Sequence, residues 1–118
     1  MRELYAGVDI HKDKYVGCIM DAAGKVVREH TFPPTPEGAQ SFLCGMPLKG
    51  IAIEACTMWR YAHVLFRELG YPIKLSSAKK THDIACRKKT DKVDAKILAN
   101  LLRTGYLPEV YIPTDDML

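Results

Sequence analysis

The fold is decided by residues 4–32, which read LYAGVDIHKDKYVGCIMDAAGKVVREHTF. Apolar and β-branched residues are concentrated in three runs, Leu4–Asp9, Tyr15–Met20 and Val26–Phe32, and short polar stretches separate them. Runs of this length bounded by turn-forming residues are typical of β-strands, and the stretch DAAG between the second and third runs suits a hairpin turn. The sequence therefore predicts an antiparallel meander of three strands.

Strands and helices alternate after this meander. Three prolines at positions 33, 34 and 36 interrupt the strand pattern, and Thr35 is suited to cap a helix that starts at Pro36. The remaining predicted elements are a strand at Ile51–Glu54, a helix at Trp59–Leu69, a strand at Pro72–Leu75, a helix at Ser77–Cys86 and a helix at Asp91–Arg103. This order predicts an α/β protein with a ribonuclease H-like fold, in which two parallel strands extend the antiparallel three-strand meander into a mixed sheet with helices on both faces.

The length and composition indicate a single soluble domain. The chain has 118 residues, of which 47% are hydrophobic and 26% charged, and no apolar run approaches the roughly 20 residues that a membrane-spanning helix requires. The N-terminal residues lack the basic segment and apolar stretch of a secretory signal, which predicts a cytoplasmic protein without a membrane partner. The four cysteines form no Cys-x-x-Cys pair and are predicted to be reduced thiols rather than zinc ligands.

Basic residues are concentrated in the second half of the chain. Residues 60–118 contain 11 Lys and Arg against 7 Asp and Glu, whereas residues 1–59 contain 6 against 7. Such a run is often only a solvated helix face, but basic residues beside acidic metal ligands can also hold a phosphate backbone. The lysines predicted to lie near nucleic-acid phosphates are Lys12, Lys79, Lys80, Lys88, Lys89 and Lys92.

Four acidic residues are the candidate catalytic and metal-binding residues. Asp9 and Glu54 each end an apolar run, where a buried strand would finish at the sheet edge. Asp91 and Asp94 lie three residues apart at the start of a predicted helix, so we expect their side chains to share one helix face, with β-carbons about 5 to 6 Å apart. Because a buried carboxylate is costly without a compensating cation and hard cations prefer oxygen ligands, the four residues predict a Mg²⁺ site, which Mn²⁺ can also fill, for phosphodiester chemistry.

Each of these residues also has an interpretation without metal. Asp9 can form a turn by bonding its own backbone, and Glu54 can lie near the positive N-terminus of the following helix. Thr90 or Asp91 can cap the last helix, where acids in the first turn are favourable without any catalysis. Taken together, the four carboxylates favour metal binding over these separate explanations.

Three motifs carry a resemblance to a known family: GVDIHKD at residues 7–13, IEA at 53–55 and KTDKVDAKILANLL at 89–102. With these motifs in this order, the chain resembles the N-terminal RuvC-like domain of the DEDD transposases of the insertion sequence one-ten family. The resemblance implies that residues 1–105 form a RuvC-like catalytic domain. Residues 106–118 would form an extended tail that leads towards a helical linker and a second domain, which supplies a serine for strand exchange. The four acidic residues implied to be the Mg²⁺-binding DEDD tetrad are Asp9, Glu54, Asp91 and Asp94.

Members of this family are recombinases that cleave and join DNA during the transposition of insertion sequences. The resemblance therefore implies DNA as a partner, a structured guide RNA in some members, and a homo-oligomer, either a dimer or a tetramer, for the full-length protein. Because the serine domain is absent from this chain, we expect the chain alone to be inactive in recombination.

Three other functions stay open at this point. A Holliday-junction resolvase or related nuclease would use the same carboxylates without a serine domain. A non-catalytic nucleic-acid-binding or oligomerisation module would keep the fold and the basic face and bind no metal. A fragment of an actin-like kinase or ATPase also begins with a strand-ending Asp, but it needs a small, Gly- or Thr-rich phosphate turn, which the stretch IHKDK at residues 10–14 is not.

Overall fold

The computed structural model describes residues 3–112 of the chain. Six strands and four helices form in this part, and none of these helices has the length and apolar character needed to cross a membrane. In chain order the elements are β1 (Leu4–Ile10), β2 (Tyr15–Asp21), β3 (Val26–Phe32), α1 (Pro36–Leu43), β4 (Leu48–Glu54), α2 (Trp59–Glu68), β5 (Ile73–Ser76), α3 (Ala78–Ala85), α4 (Ala95–Thr104) and β6 (Glu109–Val110).

All six strands belong to one mixed sheet with the order β3-β2-β1-β4-β5-β6. The meander β1-β2-β3 is antiparallel. Strand β4 pairs in parallel with β1, β5 pairs in parallel with β4, and β6 returns antiparallel to β5. This arrangement confirms the predicted α/β architecture of the ribonuclease H-like fold, with the meander extended by parallel strands.

The two faces of the sheet are covered by different helices. Helices α1 and α2 bury large side chains such as Phe42 and Phe66 against one face, where the main hydrophobic core lies. Helix α4 covers the other face, which we call the α4 face, and its Ala95 and Ala99 are buried there. Gly7 on β1 makes this approach possible, because a β-carbon at that position would lie under 3.0 Å from the backbone of both alanines. Helix α4 therefore packs backbone to backbone on the central strand β1.

The start of α1 follows the predicted cap. Thr35 has extended backbone angles, and its side-chain oxygen accepts a hydrogen bond from the amide of Gly38 at 3.1 Å. Pro36 occupies the first turn, where its missing amide proton is not needed. The sequence prediction of a helix beginning at Pro36 is thus confirmed.

Three elements differ from the sequence predictions. Strand β4 begins at Leu48, three residues before the predicted start at Ile51. The helix predicted at Asp91–Arg103 begins only at Ala95, because Asp94 has extended backbone angles (φ −101°, ψ 177°) and caps the helix with its side chain. The predicted tail contains a strand that the sequence did not predict, β6, whose two residues pair with the edge of β5. The end of that tail, residues 113–118, lies outside the described residues.

Candidate active site

The parallel pairing of β1 and β4 brings Asp9 and Glu54 to neighbouring positions. In this register Val8 lies opposite Ile53, and the next residue on each strand is acidic. Val8 and Ile53 are fully buried in the main core beneath α1 and α2. Because successive side chains on a strand point to opposite faces, Asp9 and Glu54 lie on the α4 face, at the carboxyl ends of their strands.

A cleft of about 270 Å³ opens at this end of the sheet, and we call it the acidic cleft. Its lining includes Asp9, Glu54 and Asp91, which come from three separate segments of the chain. The fold thus brings together three of the four acidic residues predicted from the sequence. The other residues that line the acidic cleft are His11, Ala78, His82, Lys92 and Val93.

Glu54 and Asp9 are both partly buried, whereas Asp91 is exposed. Burial, and next the negative charge of Asp9, raise the pKa of the Glu54 carboxyl above its usual value of 4.5, while His82 acts in the opposite direction. Asp9 pairs with His11, whose Nε2 lies 2.9 Å from Asp9 Oδ2. The acidic cleft therefore contains carboxylates that repel one another, and a cation between them would relieve this repulsion.

Asp91 is held by the loop that joins α3 to α4. Its Oδ2 accepts hydrogen bonds from the amides of Arg87 and Lys88 at 3.2 and 3.0 Å. Its own amide donates to the carbonyl of Lys88 at 3.1 Å, which closes a turn. Its carbonyl oxygen lies 2.9 Å from Nε2 of His82 on α3. Asp91 is thus positioned by a folded loop and not by a helix.

Asp94 lies apart from the other three acidic residues. Its Oδ1 accepts a hydrogen bond from the amide of Ile97 at 2.8 Å, and its side chain lines a separate cleft of about 170 Å³ on the α4 face. The prediction that Asp91 and Asp94 share one helix face was wrong, because residues 91–94 are not helical. Both residues lie within electrostatic reach of Cys86, since burial and then the charges of Asp91, Asp94 and Glu54 raise the pKa of the Cys86 thiol.

The six lysines predicted to bind phosphates are all exposed. Lys92 itself lines the acidic cleft. Each of the other five lies within three residues of a lining residue: one follows His11, two follow Ala78 and two precede Asp91. The six lysines therefore lie on the same chain segments that line the acidic cleft.

Two histidines of the acidic cleft were not predicted as site residues. His11 follows Asp9 by two residues, just after β1 ends at Ile10, and this short separation was the signal that could have placed it beside Asp9. His82 had no such signal, because its partner is the backbone of Asp91, nine residues later in an irregular loop. Only the folded loop reveals that contact.

The chemical type of the donor atoms, carboxylate oxygens, fits a hard divalent cation. Three carboxylates face one cleft, and carboxylate oxygens are the preferred ligands of Mg²⁺. Asp9 and Asp91 each use Oδ2 in the contacts described above, and each has a second oxygen for a cation. Within residues 3–112, however, no three Asp, Glu, His or Cys side chains are close enough together to hold a metal ion. The ligands are therefore grouped around the cleft without forming a closed coordination shell.

Comparison with known proteins identifies a family. A family model for the DEDD transposases of the IS110 (insertion sequence one-ten) family, described as a transposase, matches residues 6–118. No curated protein matches the chain. The matched range contains all four predicted acidic residues and nearly the whole described structure.

Proposed function

The chain belongs to the DEDD transposases of the IS110 family, and we propose that the acidic cleft is the metal-dependent part of a site that cleaves and joins DNA strands. The family implies DNA binding, DNA-processing activity and dependence on a divalent metal. The observation that carries the proposal is the convergence of Asp9, Glu54 and Asp91 on one cleft at the carboxyl ends of parallel strands. Functional sites of open α/β sheets lie at the carboxyl ends of the strands.

Four carboxylates would hold the metal, which we take to be Mg²⁺ with Mn²⁺ as a substitute. Asp9 and Glu54 contribute from adjacent strands, and Asp91 contributes from its loop. Asp94 caps α4 with Oδ1 and has Oδ2 for the metal. Once bound, a pair of divalent cations supplies activation of the attacking oxygen and stabilisation of the leaving oxygen in phosphodiester transfer.

The basic residues would bind the substrate beside the carboxylates. Lys92 lines the acidic cleft and would contact the phosphate nearest the reacting bond. Lysines on α3, on the loop from α3 to α4 and on the loop from β1 to β2 would hold the flanking phosphates, which orients the strand but does not read its sequence. These further lysines are Lys12, Lys79, Lys80, Lys88 and Lys89.

The family resemblance extends the proposal to the whole recombination reaction. Residues 1–105 would be the catalytic domain, and residues 106–118 would lead towards a helical linker and a serine-bearing domain that completes strand exchange. The full-length protein would act in the cytoplasm as a homo-oligomer, with a structured guide RNA as a further partner. The isolated domain would then bind metal and DNA without carrying out recombination.

A second candidate is a nucleic-acid-binding module that has kept the fold and lost the metal. The observation that favours it is the open spacing of the carboxylates in residues 3–112, where no three side chains form a coordination cluster. Such a module would keep the exposed lysines, and its DNA affinity would not depend on the carboxylates.

Calorimetric titration of Mn²⁺ and Mg²⁺ into the 118-residue protein separates these candidates. The parent is expected to bind the metal ions, and Glu54→Gln is expected to bind them much more weakly. Glu68→Gln is the matched control and should bind like the parent, because Glu68 is exposed on α2. Absence of metal binding by the parent, both alone and with DNA present, would contradict the metal site and favour the binding module. Cleavage of branched DNA by the chain alone would instead favour a stand-alone resolvase.

A further inference from the structure

The loop that carries Asp91 has one hydrogen bond that ties Asp91 to a neighbouring element. The bonds from the amides of Arg87 and Lys88 to Asp91 Oδ2, and from the Asp91 amide to Lys88, lie inside the loop and shape it. The bond between Nε2 of His82 and the carbonyl oxygen of Asp91, at 2.9 Å, reaches instead to helix α3. Among the described residues, this contact is what fixes Asp91 to the helix beside the acidic cleft.

Helix α3 is in turn anchored to the sheet next to Glu54. Ser76, the last residue of β5, lies opposite Glu54 in the parallel register of β4 and β5. The hydroxyl of Ser76 is hydrogen-bonded to the hydroxyl of Thr81 on α3, and both side chains are fully buried. Ser77 caps the helix between them, with its side chain accepting from the Lys80 amide at 3.3 Å. The residue that precedes His82 is thus tied to the strand beside Glu54.

These contacts form a continuous connection between two carboxylates. Glu54 neighbours Ser76, Ser76 bonds Thr81, and the next residue, His82, bonds the backbone of Asp91. A carbonyl oxygen can only accept a hydrogen bond, so Nε2 of His82 must carry the proton and donate it. The side chain of His82 also lines the acidic cleft together with both carboxylates.

We propose that His82 is a positioning residue, which donates a hydrogen bond to the carbonyl oxygen of Asp91 and thereby sets the position of the Asp91 carboxylate relative to Glu54. The inference rests on the proposed function only where it concerns metal affinity. The bond needs a donor at the place of Nε2 and needs no charge on the ring. A glutamine at this position keeps a donor close to the place of Nε2, whereas an alanine removes it.

The test compares His82→Ala, His82→Gln and Asp83→Ala, the last being an exposed neighbour on the same helix. Amide hydrogen exchange of the metal-free protein is followed by NMR at Arg87 and Lys88, whose amides bond Asp91 Oδ2. His82→Ala is expected to speed exchange at both amides about 5- to 10-fold, as loss of one hydrogen bond does when exchange occurs through local opening. His82→Gln is expected to restore slow exchange, and Asp83→Ala is expected to leave it unchanged.

Calorimetry with Mn²⁺ is the second measurement. The Mn²⁺ affinity is expected to fall in His82→Ala, to be restored in His82→Gln and to stay unchanged in Asp83→Ala. Unchanged exchange in His82→Ala, failure of His82→Gln to restore it, or a normal Mn²⁺ affinity in His82→Ala would each overturn the positioning role. If the parent itself binds no Mn²⁺, the proposed metal site is contradicted. The amide hydrogen exchange measurement still decides whether His82 holds the loop that carries Asp91.

Discussion

Gly7 and Ala95 bring the backbones of β1 and α4 into direct contact. A β-carbon on Gly7 would lie under 3.0 Å from the carbonyl oxygen of Ala95 and from the amide nitrogen of Ala99. This contact fixes the start of α4, and with it the N-cap residue Asp94, over the strand that carries Asp9. A position without a side chain therefore determines how closely the two acidic segments approach each other.

Gly7→Ala is expected to lower the free energy of unfolding by about 1 to 3 kcal/mol, because the added methyl group meets backbone atoms that cannot move aside alone. Urea unfolding measures the effect. Gly50→Ala is the matched control on β4, since a β-carbon there would lie no closer than 3.6 Å to the side chain of Leu102. Equal unfolding midpoints for the two variants would contradict the backbone contact.

Asp94 is expected to have two separable roles, as a helix cap and as a metal ligand. Asp94→Ala removes both, and it should lower the free energy of unfolding by about 1 kcal/mol. Asp94→Asn keeps an oxygen that caps α4 about equally well, so its stability should stay within a few tenths of a kcal/mol of the parent. Because the amide has no negative charge, its Mn²⁺ affinity should nevertheless fall as far as that of the alanine variant.

The measurements for Asp94 are urea unfolding and Mn²⁺ calorimetry on the same preparations. Thr35→Ala provides the control, because it removes the N-cap of α1, whose helix packs on the sheet face opposite the acidic cleft. It should lose about 1 kcal/mol of stability and keep the parent's metal affinity. An asparagine variant that binds Mn²⁺ like the parent would show that Asp94 only caps the helix.

The raised pKa of Glu54 predicts how the stability of the metal-free protein depends on pH. The folded state binds more protons at this group than the unfolded state does between pH 4.5 and the raised pKa. Because stability falls with pH wherever the folded state binds more protons, the free energy of unfolding should decrease as the pH rises through this window. Glu54→Gln should therefore be more stable than the parent at neutral pH, and the difference should vanish below pH 4.5.

Thermal unfolding in the presence of a chelator, from acidic to neutral pH, tests this prediction. Glu37→Gln serves as control and should show no stabilisation, because Glu37 is exposed in the first turn of α1, where the helix dipole favours a negative charge. A parent more stable than Glu54→Gln at neutral pH would mean that Glu54 has a favourable partner in the absence of metal. Stabilisation by removal of a carboxylate is the behaviour of a residue retained for binding and not for folding.

The sequence predicted the strand-borne part of the site and failed at the loop-borne part. Asp9 and Glu54 could be assigned to the carboxyl ends of their strands, because apolar runs specify where a strand ends. Their common face followed only from the register of β1 and β4. The helix start could not be assigned, because Asp is favourable both at the N-cap and in the first turn. Asp94 takes the N-cap, and Asp91 bonds the amides of its own loop, which no local pattern distinguishes in advance.

Strand β6 was missed for a similar reason. Its two residues, Glu109 and Val110, are exposed and follow Pro108, so the local sequence has no strand signal. The strand exists because the edge of β5 offers hydrogen-bonding partners, with Ser76 opposite Glu109. An ion pair between Glu109 and Lys74, at 3.4 Å, supports the pairing. Contacts of this kind depend on the assembled sheet and become visible only in the structure.

The lysines beside the acidic cleft are expected to bind phosphates without reading sequence. A variant with both Lys88→Ala and Lys89→Ala should bind duplex DNA more weakly, and by a similar factor for unrelated sequences. Each lost phosphate contact should reduce the slope of log affinity against log salt concentration by about 0.9, and the double variant by about 1.8. Fluorescence anisotropy across a range of salt concentrations measures this slope.

The matched control for the lysine pair combines Lys25→Ala with Lys49→Ala. Both residues are exposed and lie at the end of the sheet opposite the acidic cleft, in the β2–β3 hairpin and near the start of β4. Because this control removes the same total charge, it separates contact with phosphate from the general attraction of a basic protein to DNA. An equal change of slope in both double variants would show that the lysines act only through net charge, and DNA would then not be held at the acidic cleft by Lys88 and Lys89.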